Sequence, residues 1–152
     1  MNKDEAIRYA TKFLEDLLSF FGINVAVDST VDDEVIQLEV PSTSLNSVLI
    51  GRGANNLRAL QHIVSQALAE KSAELTRVNI DVAGYKRARA SRIADKAEAW
   101  IAKVRRTGEP MTLELSPADR RVIHKLAEDY SDITTYSEGE GRARHLIIAK
   151  KD

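Results

Sequence analysis

The stretch that decides the fold of this 152-residue chain runs from Leu49 to Gln61 and reads LIGRGANNLRALQ. Two glycines, Gly51 and Gly53, stand between an apolar run and the start of a long helical pattern. Such a turn places backbone N–H groups and a helix N-terminus beside one cation, Arg52, and both favour a phosphate oxygen. Glycine also admits a close approach of a nucleic-acid backbone, because it has no Cβ. A plain helix–helix turn explains the spacing equally well.

The flanks of this stretch argue against nucleotide-binding folds. The element before the glycines is predicted to be a short helix, whereas a dinucleotide-binding turn follows a strand. A phosphate-binding loop of the ATPase type also needs Lys and then Ser or Thr after its last glycine, where this chain has Ala54 and Asn55. Nucleotide hydrolysis is therefore a poor fit.

The pattern around the stretch predicts helix, strand, strand, helix, helix and strand in that order. A first helix is predicted from Asn2 to Gly22, and Asn2 with Glu5 can form a capping box. Two strands, INVAVDS and EVIQLEV, are predicted on either side of the acidic turn TVDD, and RVNIDVAGY supplies a third. The helix after the glycines is predicted from about Asn55 to Ala73, with a buried stripe of Leu57, Leu60, Ile63, Val64, Ala67 and Leu68.

The remaining part of the chain predicts a second small α/β unit, with the boundary near Gly84. A long helix runs from Tyr85 to about Arg106, and the strand MTLEL follows. Ser116 as N-cap with Pro117 at the first position opens another helix, which is predicted to end near Tyr130. The segments ITTYS and RARHLIIA flank EGEG as a hairpin.

Charge is distributed unevenly although the net charge is −1. Residues 1–50 contain three Lys or Arg and nine Asp or Glu, whereas residues 51–110 contain twelve and six. The positive middle of the chain favours an anionic partner. Helical geometry gathers part of it into a stripe within about 60° of arc, which is either a solvated face or a track for a phosphate backbone: Arg89, Arg92, Lys96 and Lys103.

Other classes of function find little support in the composition. The chain has no Cys and three dispersed His, so we predict no metal site and no cofactor. No paired carboxylates indicate acid–base chemistry, so we predict no enzyme activity and no small-molecule substrate. Acidic residues among the first twenty argue against a signal peptide. No apolar run approaches the about 20 residues that span a bilayer, so we expect a cytoplasmic protein with no membrane segment.

The stretch LIGRGANNLRALQ, with its order of elements, resembles the helix–GXXG–helix core of a type II KH domain. That resemblance implies a loop that clamps the backbone of about four nucleotides of single-stranded RNA or DNA. Carried over, the clamp consists of Gly51, Arg52, Gly53 and Ala54, followed by Asn55. Ala54 stands where the family has its second glycine, and a left-handed conformation there would cost about 1–2 kcal/mol.

The segment SPADRRVIH carries a second resemblance. Arg120 and His124 are four residues apart and therefore share one helix face. Spacing alone favours a solvated helix flank, but Arg-x-x-x-His before a hairpin is similar to the R-3-H domain, a module that binds single-stranded nucleic acids. The resemblance implies that Arg120 pairs with a phosphate and that His124 stacks or donates a hydrogen bond. We also expect Arg142 and Arg144 on one face of the next strand, where they could contact phosphate, although the acidic turn beside them would repel it; the sequence favours neither outcome.

Both modules occur in this order in the bacterial Jag family, and four segments resemble that family: LIGRGANNLRALQ, VNIDVAGYKRAR, KVRRTGEPMTLELSPADRRVIH and TYSEGEGRARHLIIA. The resemblance implies an α+β chain with a type II KH domain at 1–83 and a small α/β R-3-H domain at 84–152. Family members commonly carry a further N-terminal domain, and roles attributed to that part are not carried over.

The family resemblance also implies a function. It is that of a non-catalytic protein that binds single-stranded RNA, or single-stranded DNA, as a post-transcriptional regulator linked to cell elongation or division. A small KH-only protein (KhpA) is the implied partner. The alternative is a protein-interaction or dimerisation module for which nucleic acid is incidental, and the acidic first fifty residues together with Ala54 favour it.

Overall fold

The computed structural model describes residues 1–152, which divide into two compact units, Met1–Lys86 and Arg87–Asp152. Both units combine helices with a small sheet, so the predicted α+β class is confirmed. The division falls close to the boundary predicted at Gly84. No helix has both the length and the apolar character that crossing a bilayer requires.

The first unit has the predicted order of helix, two strands, two helices and a strand. Its three-stranded sheet has the order β1-β2-β3, in which β2 pairs antiparallel with β1 and parallel with β3. A turn of 3-10 helix, Arg52–Ala54, separates the second and third helices. The elements are α1 (Lys3–Ser19), β1 (Asp28–Asp32), β2 (Val35–Val40), α2 (Asn46–Ile50), α3 (Asn55–Glu70) and β3 (Arg77–Val82).

Helix α1 begins where the sequence predicts but ends at Ser19 rather than at Gly22. The side chain of Asn2 accepts a hydrogen bond from the Glu5 N–H at 2.9 Å, and the Glu5 carboxylate accepts one from the Asn2 N–H at 2.9 Å. This reciprocal capping box satisfies N–H groups that the first helical turn leaves without partners. One face of α1 then joins the apolar core that α3 and the sheet also line, with Ile36, Leu38 and Val40 as the buried face of β2.

The first strand is shorter than predicted. Strand β1 begins at Asp28, and Ile23 and Val27 are buried outside the ladder. The turn is confined to Asp33 and Glu34, which both have positive φ, so Asp32 pairs directly with Val35. A two-residue hairpin needs positive φ at both central positions, and the acidic pair supplies it. The predicted turn TVDD is therefore wrong in its bounds.

Helix α3 ends at Glu70, before the predicted Ala73, and two residues of its predicted stripe are not fully buried: Ala67 is half-buried and Ile63 is exposed. Val64 is fully buried, whereas Ile63 is 44% exposed. Neighbouring helical positions are 100° apart, so the core takes one of them and turns the other away. The residues of α3 that the core does take are Leu57, Leu60, Val64 and Leu68.

The second unit packs two helices on an antiparallel sheet of order β4-β6-β5. Its long helix begins with Tyr85 and Lys86, which belong to the first unit by their contacts. Trp100 packs at the margin of a core that includes Ile101, Ile123 and Leu146. The elements are α4 (Tyr85–Thr107), β4 (Met111–Leu113), α5 (Pro117–Ala127), β5 (Ile133–Glu138) and β6 (His145–Lys150).

Three boundaries in the second unit differ from the predictions, and the first is the end of β4 at Leu113 rather than Leu115. Helix α5 begins as predicted, with the Ser116 hydroxyl accepting the Asp119 N–H at 3.2 Å, but it ends at Ala127 rather than near Tyr130. The hairpin pairing starts at Glu138 opposite His145, so Arg142 and Arg144 precede β6 and the prediction that they lie on a strand face is wrong. Glycines at 139 and 141 with φ of 88° and 58° extend the turn through Arg144.

Candidate nucleic-acid interface

The predicted clamp is a sharp turn held by unusual backbone angles. Gly51 has φ 74° and ψ 176°, a combination that is essentially restricted to glycine. Gly53 (φ 58°, ψ 28°) and Ala54 (φ 61°, ψ 25°) are both left-handed. The left-handed region raises the energy of an alanine by about 1–2 kcal/mol. Ala54 therefore occupies a position that suits glycine, as the resemblance requires.

The side chain of Asn56, in the first turn of α3, stabilises this glycine turn. Its amide Nδ2 donates to the carbonyl oxygen of Val48 at 2.7 Å and so satisfies a carbonyl at the end of α2. A Cβ on Gly51 would lie 2.7 Å from Cγ of Asn56, so the amide fits only because residue 51 has no side chain. Asn56 was not among the predicted site residues, because its partner Val48 lies eight residues earlier on another helix.

Arg52 is the cation that the turn presents. Its side chain is exposed and takes part in none of the hydrogen bonds or ion pairs of the structure. The N–H groups of Ala54 and Asn55 are used inside the turn by the carbonyls of Gly51 and Arg52. The attraction for a phosphate therefore centres on the Arg52 guanidinium rather than on those two amides.

A second group of polar side chains in this unit lies along β3, an edge strand, and was not among the predicted site residues. The side-chain oxygen of Gln61 accepts the Ile80 N–H at 3.1 Å and the Lys86 ammonium at 3.0 Å. Lys86 also donates to the side-chain oxygen of Asn79, and its backbone N–H donates to Asp81 at 3.0 Å. These acceptors hold one lysine at the strand edge.

Burial lowers the pKa of Lys86 from its ordinary value. The nearby charge of Arg58 lowers this pKa further, whereas Asp81 opposes the change. Arg58 itself donates to the Asn55 side chain at 2.6 Å, so it extends the polar row from the clamp along α3. Its position three residues after Asn55 on the polar helix face was the available sequence signal.

The basic stripe on α4 divides into two kinds of cation. Arg89 forms a two-pronged contact with Asp119, with Nη2 at 2.8 Å from Oδ2 and Nε at 3.3 Å from Oδ1. The Asp119 side chain is 5% exposed, so this pair fastens α4 to α5 and already neutralises the Arg89 charge. The other members, Arg92, Lys96 and Lys103, are exposed and form no ion pair.

Arg120 and His124 lie on one face of α5 and both contact the following hairpin. Nη1 of Arg120 donates to the carbonyls of Leu115 at 2.8 Å and Arg144 at 3.2 Å. In His124, Nδ1 lies 2.6 Å from the Thr135 hydroxyl and Nε2 lies 3.3 Å from the hydroxyl of Ser137. Hydroxyls can donate or accept, so either tautomer of the imidazole is satisfied.

Of the two arginines in the β5–β6 connection, one has a partner within the protein and the other has none. Arg144 donates from Nη1 to the Gly139 carbonyl at 2.9 Å. Arg142 is exposed and its side chain forms no hydrogen bond or ion pair. Of these two arginines, Arg142 is therefore the one whose charge is free for an external anion.

An apolar groove lies between α2, α3 and the end of α1. It has a volume of about 190 Å³ and is lined on its outer side by Phe21, Val48 and Ile63, which are 48%, 46% and 44% exposed. Phe20 beside it is 87% exposed. Elsewhere, no group of three His, Asp or Glu side chains is arranged to hold a metal ion.

Comparisons with known proteins support the resemblances to the R-3-H domain and to the Jag family. Residues 92–150 match the model of the R-3-H domain family, which is the module expected from SPADRRVIH. Over 147 residues the chain is 32% identical to RNA-binding protein KhpB of Clostridium symbiosum, an alignment that covers 93% of this chain and 65% of that one.

Two further relatives carry the same name. RNA-binding protein KhpB of Bacillus subtilis is 32% identical over 108 residues, covering 69% of this chain and 52% of its own. The KhpB protein of Lactiplantibacillus plantarum is 25% identical over 147 residues, covering 96% and 45%. The chain thus spans less than two thirds of the length of these relatives.

Proposed function

We propose that this chain is a member of the Jag family of KhpB-like proteins and a non-catalytic protein that binds single-stranded RNA. The observation that carries the proposal is an exposed, unpaired arginine on a rigid glycine turn at the start of α3. The turn presents Arg52 without any internal contact that binding would have to break. A guanidinium pairs well with a phosphate oxygen, so the turn would hold an RNA backbone rather than read a base.

The second unit would add phosphate contacts of its own. Several exposed cations without an ion pair, among them Arg92, Lys96, Lys103 and Arg142, supply positive charge that can attract phosphates. Binding built from such contacts should weaken steeply with salt, because each neutralised phosphate releases a counterion.

In the first unit, Gln61 and Lys86 at the β3 edge would contact the bases of an RNA strand that passes the turn. The relatives are named RNA-binding proteins, which favours RNA over single-stranded DNA.

The proposed cellular role follows from the family resemblance. A cytoplasmic post-transcriptional regulator linked to cell elongation or division is the role that it implies. This part of the proposal rests on relatives longer than this chain, and RNA recovered from cells after crosslinking to the tagged protein would test it.

Anisotropy titration of a fluorescein-labelled oligouridylate of about ten nucleotides tests the clamp. Arg52→Asp should weaken binding about tenfold or more, because it replaces a charge-assisted contact by a repulsive one. Arg8→Asp is the matched control, since Arg8 is an exposed cation on α1 that forms no ion pair. Equal losses in the two variants would mean that net charge alone governs binding and that the turn is not the site.

The double variant Arg120→Ala/His124→Ala tests the second unit in the same assay. A loss of affinity with a normal melting temperature would support an RNA-binding role for the R-3-H pair. Unchanged affinity would restrict the site to the first unit. A competing single-stranded DNA of the same length reports the preference between the two nucleic acids.

The apolar groove favours a second candidate function, in which the first unit docks a protein. Phe21, Val48 and Ile63 leave apolar surface that a small KH-only protein, or a second copy of this chain, would cover. Sedimentation of the chain alone and with such a protein tests it, with Ile63→Glu as the disrupting variant and His62→Glu as its exposed neighbour. Docking lost in Ile63→Glu while RNA binding persists would assign the groove to the protein partner.

A further inference from the structure

The connection between β5 and β6, residues 139–144, contains no regular secondary structure except a single 3-10 turn. Gly139 and Gly141 have positive φ, and inside the turn the N–H of Ala143 donates to the Glu140 carbonyl and that of Arg144 to the Gly141 carbonyl. Glycines make such a segment costly to order, because they lose more conformational freedom than other residues. A cation carried on it would be poorly placed unless something else held the segment.

Arg120 supplies that support. Its Nη1 bridges the Leu115 carbonyl, just before the N-cap of α5, and the Arg144 carbonyl, at the end of the connection. The bond to Arg144 is the one hydrogen bond that joins residues 139–144 to α5. Its acceptor, Arg144, lies two residues after Arg142, whose side chain is exposed and forms no hydrogen bond or ion pair.

We infer that Arg120 is a positioning residue, which holds the 139–144 connection so that Arg142 meets the phosphate backbone. The inference rests on the proposed RNA binding. Both hydrogens of the Arg120 Nη1 are committed to carbonyls of the protein, whereas nothing in the protein engages Arg142. Holding the connection in place lowers the entropy lost when the RNA is bound, which is how Arg120 would contribute to affinity.

The first test needs no RNA. In Arg120→Ala, amide hydrogen exchange at Ala143 and Arg144 should speed up about fivefold, the factor that corresponds to losing one hydrogen bond of ordinary strength. Arg121→Ala is the matched control, because Arg121 is exposed on the same helix without a partner, and exchange in the connection should be unchanged. Equal exchange in wild type and Arg120→Ala would overturn the inference.

The second test is a double-mutant cycle on oligouridylate affinity. If Arg120 acts through Arg142, each of Arg120→Ala and Arg142→Ala weakens binding about fivefold and the double variant is no worse than Arg142→Ala alone. Losses that multiply to about 25-fold would overturn the inference, because Arg120 would then contact RNA independently. If Arg120→Ala lowers the melting temperature of the second unit, Arg120→Lys replaces it in the cycle. A wild type that fails to bind would refute the proposed function, whereas the exchange experiment would still decide the positioning role.

Discussion

The turn between α2 and α3 and the connection between β5 and β6 are both glycine-containing segments that present an unpaired arginine. They are held in different ways. Backbone conformation, with the Asn56 amide laid across Gly51, fixes the first turn. The second also depends on glycine, because a Cβ on Gly139 would lie 2.9 Å from the Ala143 carbonyl oxygen, but it has side-chain support as well. Arg120 from α5 and Arg144 within the connection donate to its carbonyls. Both segments should therefore respond to changes at glycine, whereas only the second should also respond to changes at arginine side chains.

Gly51→Ala should break the first turn with the largest effect. Its φ and ψ fall in a region nearly closed to alanine, and the new Cβ would displace the Asn56 side chain. We expect the free energy of unfolding of the first unit to fall by about 3 kcal/mol. Gly53→Ala is the control, because its Cβ would meet nothing within 4 Å, and it should cost about 1 kcal/mol. Urea unfolding followed by hydrogen exchange in residues 1–86 measures both, and equal costs would contradict the role given to Asn56.

Asp119→Ala should break the side-chain framework of the second unit with the next largest effect. The variant leaves Arg89 without its buried carboxylate, and we expect a loss of about 2 kcal/mol because Arg89 remains partly solvated. Asp95→Ala, at an exposed and unpaired aspartate of α4, should change stability by less than about 0.5 kcal/mol. Hydrogen exchange in residues 87–152 during urea unfolding compares the two, and a negligible loss for Asp119→Ala would show that the ion pair does not fasten the helices.

Ala54→Gly should stabilise the first turn, by less than the two preceding variants destabilise the protein. Relief of the left-handed alanine exceeds the extra freedom that glycine gives the unfolded chain, so stability should rise by about 0.5–1 kcal/mol. RNA affinity should rise as well if the strained alanine loosens the clamp. Ala59→Gly within α3 is the control and should lose about 1 kcal/mol. A destabilised Ala54→Gly variant would mean that the turn does not need a left-handed residue at position 54.

Lys86 gives the smallest expected effect, and it appears as a pH dependence. Because burial lowers the pKa of Lys86 in the folded state, the unfolded chain binds the proton more tightly between that lowered pKa and about 10.5. The stability contribution of Lys86 should therefore rise as the pH rises through this window. Comparing the unfolding free energy of wild type and Lys86→Met at several alkaline pH values isolates this term. Parallel pH profiles for the two proteins would contradict it.

Local signals made much of this architecture predictable. The capping box at Asn2, the Ser116–Pro117 start of α5 and the alternation of Ile36, Leu38 and Val40 all involve residues close in sequence, and the structure bears them out. The bounds of β1 and the exposure of Ile63 were not predictable in this way. Ile23 and Val27 are buried outside the strand pairing, and Ile63 points away from the core, yet in sequence all three look like ordinary strand or core residues.

The interface was harder to predict than the fold. The pairing of Arg89 with Asp119 joins residues 30 positions apart, and no local pattern indicates which cation of a basic stripe will be neutralised. Gln61 and Lys86 are likewise far apart in sequence, and they come into contact only because β3 packs beside α3. The Arg120 and His124 motif was visible in the sequence, yet the hairpin contacts that both side chains make depend on the folded unit.

Trp100 has a practical consequence for all of these measurements. It is the chain's single tryptophan and it packs against the core of the second unit, whereas the aromatic residues of the first unit are tyrosines and phenylalanines. Excitation at the red edge of the absorption band selects indole, so its emission reports residues 87–152 alone. Paired with circular dichroism of the whole chain, this intrinsic fluorophore would separate the melting of one half of the molecule from that of the other in a single unlabelled sample.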